Sequence, residues 1–183
     1  ADENALLKNF FLLTSKPTLF ACNVAEKELA NPDANPHVKA VREYVKTHLN
    51  TEAVVISAQI ESDLVDLSAD EQKEYLESLG VKESGVGALI RAAYHLLGLR
   101  TYFTTGEKET SAWTIHTGDK APAAAGVIHS DFERGFIAAE CTAYEELVKL
   151  GSFAKAREAG RQRNAGEEYT VADGDGVVGE LSV

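Results

Sequence analysis

Methionine is absent from this sequence of 183 residues, and cysteine occurs only twice. Because Ala1 is not methionine, we expect that processing or design removed whatever preceded it. Cys22 and Cys141 lie far apart in apolar surroundings and lack metal-ligand spacing, which favours two reduced thiols over a disulfide. The sequence therefore indicates neither a disulfide-stabilised domain nor a cysteine metal site.

Long apolar runs and excess positive charge are also missing. No run approaches the roughly 20 apolar residues of a membrane span, and no secretory leader pattern is present, so we predict a cytoplasmic protein without a membrane partner. Acidic residues outnumber basic ones by 29 to 18, which gives a net charge of −11. This balance argues against a surface that wraps nucleic acid, and no DNA partner is predicted. The hydrophobic content of 44% is enough for a substantial core.

The first 97 residues alternate between helical spacing and short apolar strands. The predicted elements are a helix over residues 4–13, a strand over 18–22, a helix capped by Asn35-Pro36, a strand over 53–56, a helix capped by Ser68 and Glu71, and a helix over 86–97. Apolar strands on either side of a helix are typical of a parallel sheet joined by a right-handed crossover.

A second pattern begins at Gly98, where we place a domain boundary. The predicted elements are strands over 98–105 and 111–117, a helix from Pro122, a strand over 136–141, helices over 144–150 and 153–159, and strands over 168–171 and 177–183. Trp113 and Ile115 alternate onto one face and are expected to point into a core. The order of strand, strand, helix and strand predicts a β-grasp, ubiquitin-like fold. Two glycines weaken the last strand, whose pairing we expect to fray or shift in register.

Four segments of this second half resemble a known family. They are residues 97–104, 112–114, 121–122 and 124–136. Together they are similar to the TGS domain of Obg-like ATPases of the YchF subfamily, and the resemblance extends from about residue 10 to Asp175. It implies an α/β fold, in which residues 1–97 are the C-terminal part of a P-loop (Ras-like), OBG-type nucleotide-binding domain and residues 98–183 are a TGS domain.

Asn23-Val24-Ala25-Glu26 follows the first apolar strand, at the sheet edge where open α/β sheets bind ligands. Taken alone, these four residues also suit an ordinary polar loop. The resemblance identifies them with the base-reading motif, which is Asn-Lys-x-Asp in GTPases and drifts to Asn-x-x-Glu in this family, where it is linked to ATP. It implies that Val24 lies against the base, that Asn23 fixes the loop and that Glu26 replaces the carboxylate that reads guanine.

Ser57-Ala58-Gln59 follows the second strand and resembles the family's fifth nucleotide motif, in which backbone N–H groups and a small residue line the base. The alternative is a strand end with a turn serine. The sequence contains no Gly-x-x-x-x-Gly-Lys-Ser/Thr phosphate loop, magnesium-binding hydroxyl of that loop or second acidic motif. We therefore expect a fragment that binds ATP poorly and does not hydrolyse it alone. The Mg²⁺ ligands are expected in a preceding segment of a ribosome-associated ATPase.

Lys155, Arg157, Arg161 and Arg163 form a basic cluster in an acidic background. The resemblance implies ribosomal RNA as their partner, whereas a solvated helix face is the alternative. His129-Ser130-Asp131 superficially resembles a catalytic triad, but consecutive residues cannot adopt the relay geometry, so no catalytic residue is predicted. A second hypothesis treats the chain as a stand-alone β-grasp module that binds RNA or protein and has no nucleotide activity.

Overall fold

The computed structural model describes residues 6–7, 9–49, 51–105 and 109–181. The chain forms two compact units, Ala1–Leu97 and Gly98–Val183. Within the described ranges, no helix combines the length and the apolar character that crossing a bilayer requires. Cys22 is half-buried and Cys141 is buried, and both are free thiols.

The first unit contains a two-stranded parallel sheet, β1 (Phe20–Asn23) and β2 (Ala53–Ile56), in which Asn23 lies opposite Ile56. The predicted parallel pairing is therefore confirmed. Four α-helices are described in this unit: α1 (Pro36–Tyr44), which continues as a π-helix over Val45–Leu49, α2 (Ala58–Leu64), α3 (Ala69–Ser78) and α4 (Gly85–Leu96). Short 3₁₀-helices cover Leu13–Ser15, Glu26–Glu28 and Pro32–Ala34.

The helix predicted over residues 4–13 is largely wrong where the structure describes it. Residues 4, 5 and 8 lie outside the described residues, Leu6 and Leu7 are helical, and residues 9–11 form turns. Phe11 has a φ of 51°, a left-handed backbone conformation that no α-helix accommodates. Apolar spacing alone was not enough to specify a helix in this segment.

The two predicted helix caps of the first unit are present. The Asn35 side-chain Oδ1 accepts hydrogen bonds from the N–H groups of His37 (2.9 Å) and Val38 (3.4 Å), which otherwise lack intrahelical partners. At the start of α3, the hydroxyl and the N–H of Ser68 both donate to Glu71 Oε2, at 2.6 and 2.9 Å. These two hydrogen bonds lower the pKa of the Glu71 carboxyl, since they stabilise its charged form.

Helix α2 was not predicted, yet it supplies the centre of the first unit's core. Its Ile60 and Leu64 are four residues apart, so they share one helix face and pack with Leu76 of α3. Ile60 is 1% exposed. Burying such a side chain contributes about 1.5–3 kcal/mol, so this short helix is held mainly by its core contacts.

The second unit contains a five-stranded mixed sheet. Its strands are β3 (Leu99–Thr105), β4 (Thr110–His116), β5 (Phe136–Ala143), β6 (Arg163–Ala165) and β7 (Asp175–Leu181), in the order β4-β3-β7-β5-β6. β3 and β7 are parallel, whereas the other pairs are antiparallel. This is the β-grasp arrangement that the sequence predicts. The helices of the unit are α5 (Ala121–Ile128), α6 (Ser130–Arg134), α7 (Tyr144–Leu150) and α8 (Phe153–Glu158).

Helix α5 covers one face of this sheet. Tyr102, Ile115, Ala121, Ala124 and Val171 form the buried cluster between them, and Trp113 packs against it, which confirms that Trp113 and Ile115 face a core. The Tyr102 hydroxyl donates to the Ala124 carbonyl oxygen at 2.9 Å. Burial raises the pKa of Tyr102 to about 12.

The strand predicted over residues 168–171 is wrong. Only an isolated bridge forms there, between Lys120 and Thr170, and the strand next to β5 is instead β6. Residues 169 and 171 are held by other contacts: the Tyr169 hydroxyl donates to Asp175 Oδ2 at 2.7 Å, and Val171 is buried in the core. The last strand, β7, lies between β3 and β5 and is not an edge strand. The register shift that the sequence predicts is present, because the pairing of β7 with β5 is irregular between Phe136 and Ala138, whereas residues 182 and 183 lie outside the described residues.

Candidate functional site

The carboxyl ends of β1 and β2 lie side by side, as parallel pairing requires. The Val24 N–H donates to the Ile56 carbonyl oxygen at 2.9 Å, which extends the pairing one residue beyond β1. The Ala58 N–H donates to Asn23 Oδ1 at 3.0 Å. Ala58 is the first residue of α2, and its N–H has no intrahelical acceptor, so Asn23 satisfies it from the neighbouring strand. The structure therefore brings together the two segments that the sequence singled out.

Two of the six predicted base-site residues are buried. Val24 is 8% exposed and Ser57 is 1% exposed. The Ser57 hydroxyl has no hydrogen-bond partner among the described residues. Serine therefore fits this buried position by its small size and not by a side-chain hydrogen bond. Burial leaves little of Val24 for a base to contact, and its assignment as a base contact stays a prediction.

The other four residues, Asn23, Glu26, Ala58 and Gln59, are exposed. Glu26 begins the 3₁₀-helix Glu26–Glu28, and within the described residues its carboxylate makes no hydrogen bond or ion pair. The Gln59 Nε2 donates to Asp63 Oδ1 at 3.0 Å, along the surface of α2. Asn23, Glu26 and Gln59 are thus the polar side chains of the predicted site that are exposed to solvent.

The charge around this edge is negative. Burial raises the pKa of the Tyr75 phenol, and the neighbouring charges of Glu26 and Asp63 raise it further. A carboxylate without its proton only accepts hydrogen bonds, so the exposed Glu26 side chain could bind a donor group such as an exocyclic amine. The described part of this edge suits a nucleobase better than a phosphate group, which Glu26 would repel.

Glu28 also contacts this edge, although it is not among the residues predicted from the sequence. Its Oε2 accepts from the Ala25 N–H at 3.1 Å, and its Oε1 accepts from Asn35 Nδ2 at 3.0 Å. A glutamate three residues after Ala25 has the spacing of the second half of a capping box, which was the signal available in the sequence.

Helix α4 approaches the end of β2 very closely. A Cβ atom added to Gly85 would lie 2.9 Å from the Cα atom of Ile56, so glycine is required there. The Gly85 N–H donates to Glu61 Oε1 at 2.6 Å, which ties the first turn of α4 to α2. The segment after β2 is therefore fixed from two sides, by Asn23 and by α4.

The four residues of the predicted RNA site lie on α8, on β6 and between them. Arg157 donates to Glu140 Oε1 at 2.6 Å, Arg161 lies 3.5 Å from Glu146, and Arg163 donates to the buried Asp175 at 3.1 Å. Among the described residues, Lys155 has no acidic partner within salt-bridge distance. The three arginine charges are thus partly neutralised, and an RNA contact here stays a prediction.

No group of three or more His, Cys, Asp and Glu side chains among the described residues is arranged to bind a metal ion. His129 Nδ1 accepts from the Asp131 N–H at 3.2 Å and so caps α6. His129 in the His129-Ser130-Asp131 sequence therefore has a structural role as a helix cap.

Comparison with known proteins agrees with this architecture. The family YchF-GTPase_C, described as "Protein of unknown function (DUF933)", matches residues 99–179. The chain is 52% identical over 174 residues to the ribosome-binding ATPase YchF of Bacillus subtilis (strain 168), covering 95% of this chain and 47% of that protein. It is 42% identical over 175 residues to the protein of the same name from Escherichia coli O157:H7, with 96% and 47% covered. The chain therefore spans about half the length of the curated relatives it matches.

Two solved structures of longer proteins superpose on nearly the whole of this chain. The YchF GTPase of Schizosaccharomyces pombe superposes with a TM-score of 0.80 at 30% identity, covering 96% of this chain and 46% of that one. A GTP binding protein from Pyrococcus horikoshii OT3 superposes with a TM-score of 0.58 at 18% identity, covering 92% of this chain and 46% of that one. The second likeness concerns the fold alone.

Proposed function

Because this chain belongs to the YchF family over the part that it spans, we propose that it is the base-recognising and TGS portion of a ribosome-associated protein that binds and hydrolyses ATP. In this proposal residues 1–97 are the C-terminal part of an OBG-type nucleotide-binding domain, and residues 98–183 are the TGS domain. The B. subtilis relative is named a ribosome-binding ATPase, which supports both the nucleotide and the partner.

The observation that carries the proposal is the hydrogen bond from the Ala58 N–H to Asn23 Oδ1. It joins the Asn-x-x-Glu segment to the Ser57-Ala58-Gln59 segment, although 35 positions separate the two residues. A purine is a flat ligand that must be contacted from more than one side to be selected. Two strand ends fixed to each other, beside the exposed Glu26 carboxylate, form such a site for the adenine amine.

The phosphate groups and Mg²⁺ are assigned to a segment joined to this chain in the longer protein, because the 183 residues contain no phosphate-binding loop. Asn23, Glu26 and the backbone at Ala58 would then select and orient the base. Orientation of the base places the triphosphate relative to the distant catalytic groups, which is a contribution to rate through positioning.

Ribosome binding is the second part of the proposal, and it locates the protein in the cytoplasm. Lys155, Arg157, Arg161 and Arg163 are the candidate contact with ribosomal RNA. Each of the three arginines is more than half exposed, so a phosphate group has access to them despite their acidic neighbours.

A binding module without nucleotide activity is the competing function. It is favoured by the fact that residues 98–183 have their own sheet and their own buried cluster. The two functions differ in the role that they give to the first unit, which is an adenine site in one and a scaffold in the other.

The test uses this chain fused behind the phosphate-binding segment of the B. subtilis relative. Competition between ATP and GTP measures base preference, and phosphate release measures hydrolysis. We expect a preference for ATP that Asn23→Ala and Glu26→Ala each reduce, while Glu71→Gln, which alters a cap on α3, leaves it unchanged. A fusion that binds ATP and GTP equally, with no effect of either alanine substitution, would contradict the proposed function and favour the binding module.

A further inference from the structure

One carboxylate joins the proposed base loop to the helix that follows it. Glu28 is half-buried, and its two oxygens accept from different segments: Oε2 from the Ala25 N–H at 3.1 Å and Oε1 from Asn35 Nδ2 at 3.0 Å. Ala25 lies directly before Glu26 in the base loop, whereas Asn35 caps α1. Glu28 therefore connects the loop to a fixed point in the fold.

Asn35 is fixed because both polar atoms of its side chain are used. Its Oδ1 accepts from the first turn of α1, at the N–H groups of His37 and Val38, and its Nδ2 donates to Glu28. The amide cannot rotate to exchange these atoms without losing the helix cap. The helix thus determines which atom of Asn35 faces Glu28, and that atom must be a donor.

The peptide on which Glu26 sits is consequently held at both ends. Asn23 is tied to Ala58 on one side, and the Ala25 N–H is tied to Glu28 on the other. Within the 3₁₀-helix, the Leu29 N–H also donates to the Glu26 carbonyl oxygen at 3.0 Å. The Glu26 side chain is left exposed on a backbone that has little freedom to move.

We propose that Glu28 is a positioning residue for base recognition, which it performs together with Asn35 by holding the Ala25 peptide so that Glu26 presents its carboxylate to adenine. The inference rests on the proposed function, because it assigns a role to residues behind the same base site. Glu28 itself touches no ligand in this arrangement.

Donor and acceptor chemistry gives a test of this pair that changes almost no volume. Glu28→Gln has one acceptor and one donor group, so it satisfies only one of its two donating neighbours. Asn35→Asp keeps the oxygen that caps α1 but turns a second acceptor towards Glu28. In the double variant, the glutamine amide donates to the aspartate and its carbonyl accepts from Ala25, so the complete network is restored with the same net charge.

The experiment titrates the intact 183-residue chain with AMP and with GMP, and follows backbone amide signals in ¹⁵N NMR spectra. We expect tighter binding of AMP, with the largest changes at Ala25, Glu26 and Ala58. Each single variant is expected to lower the AMP-over-GMP ratio by about fivefold, the factor typical of removing one hydrogen bond. The double variant is expected to recover it. Glu71→Gln is the matched control, since it removes one charged acceptor from a comparable cap whose hydrogen bonds come from Ser68 and not from the base loop.

The outcomes separate this inference from the proposed function. If Glu26→Ala abolishes the AMP preference while Glu28→Gln and Asn35→Asp leave it unchanged, the proposed function stands and the positioning role is wrong. If the single variants lose stability but keep the ratio, Glu28 is structural only, and the inference is also overturned. If the unaltered chain shows no preference for AMP and its fusion behind the phosphate-binding segment shows none for ATP, both fail; if only the fusion shows a preference, the ATP-over-GTP ratios of the same variants in the fusion decide. A reduced ratio in each single variant with recovery in the double variant supports both.

Discussion

The backbone N–H of Ala58 lies 3.0 Å from Oδ1 of Asn23 and donates a hydrogen bond to it. The bond joins the end of β1 to the first turn of α2. Because its acceptor belongs to a side chain, it depends on the identity of residue 23, whereas its donor is supplied by the backbone of residue 58. Asn23 therefore has a structural function in this unit in addition to the base contact that we propose for it.

Substitution of Asn23 tests this structural function in the isolated chain. Asn23→Ala removes the acceptor of an N-terminal helix N–H, and we expect it to lower the free energy of unfolding by about 1 kcal/mol. The amide of Ala58 should exchange its hydrogen several-fold faster. Asn23→Asp retains an acceptor oxygen and should stay close to the unaltered chain. Equal exchange at Ala58 in all three proteins, measured by NMR, would show that the bond does not form.

Gly176 of β7 packs tightly against α7 and α8. A Cβ atom there would lie 3.2 Å from Leu147 Cδ2 and Phe153 Cζ and 3.3 Å from the Thr142 carbonyl oxygen, so we expect Gly176→Ala to lower the free energy of unfolding by about 1–3 kcal/mol. Gly179→Ala is the matched control in the same strand, since apart from its chain neighbours no atom of the described residues lies within 4 Å of its added Cβ.

Urea unfolding followed by the fluorescence of Trp113, the single tryptophan of the chain, measures both variants. Gly179→Ala should be neutral or slightly stabilising, because it restricts the unfolded chain. Equal destabilisation by the two substitutions would show that replacing any glycine of β7 lowers stability, and that the contact of Gly176 with α7 and α8 is not the cause.

These glycines show what the sequence did and did not specify. Residue type indicated a weak last strand, because glycine disfavours strands when its neighbours are unknown. The structure places β7 in the centre of the sheet, where Gly176 admits Leu147 and Phe153. Gly176 is favourable because it makes room for side chains of α7 and α8, which are remote in sequence. The strand propensity of residue 176 alone could not predict this packing.

The candidate site was predictable in part for a similar reason. Parallel strands ending at one edge follow from local patterns, so the proximity of the segments after β1 and β2 could be predicted. Helix α2 was missed because seven mostly polar residues give little helical signal, although Ile60 and Leu64 have the correct spacing. The role of Glu28 depends on its contact with Asn35, seven positions away. That contact could be predicted only if the path of the loop between the two residues were known.

Alkaline pH should destabilise the second unit. Burial raises the pKa of both Tyr102 and Cys141 to about 12, and the charge of Asp175 adds to the effect on Cys141. The unfolded chain therefore releases these protons at lower pH than the folded chain does. The free energy of unfolding should be constant below about pH 9 and fall from there to about pH 12, by up to about 1.4 kcal/mol per pH unit for each group.

Tyr102→Phe checks the assignment of this pH dependence. It removes the hydrogen bond to Ala124 and should cost about 1 kcal/mol at pH 7, yet its stability should fall less steeply than that of the unaltered chain above about pH 10. Cys22→Ala, which alters the first unit, is the control. Parallel stability curves for Tyr102→Phe and the unaltered chain, from urea titrations at each pH, would contradict the assignment.

The basic cluster is best tested at Lys155 and Arg161. Arg163→Glu would leave the buried Asp175 without its cation and destabilise the fold. A loss of RNA binding in that variant could then result from unfolding. We expect Lys155→Glu with Arg161→Glu to weaken ribosome or RNA binding and to reduce the slope of log affinity against log salt by about one for each phosphate group that the protein no longer neutralises. Unchanged affinity and an unchanged salt slope would exclude this surface as the RNA-binding site.

In the proposed function, the ends of β1 and β2 bind adenine together. The most direct measurement is a set of intermolecular nuclear Overhauser effects between the H2 and H8 protons of AMP and the methyl groups of this chain. We expect contacts to the Ala25 and Ala58 methyl groups together, one from each strand end. Contacts to only one of these methyl groups or to neither, or contacts confined to residues 98–183, would contradict joint binding of adenine by the two strand ends.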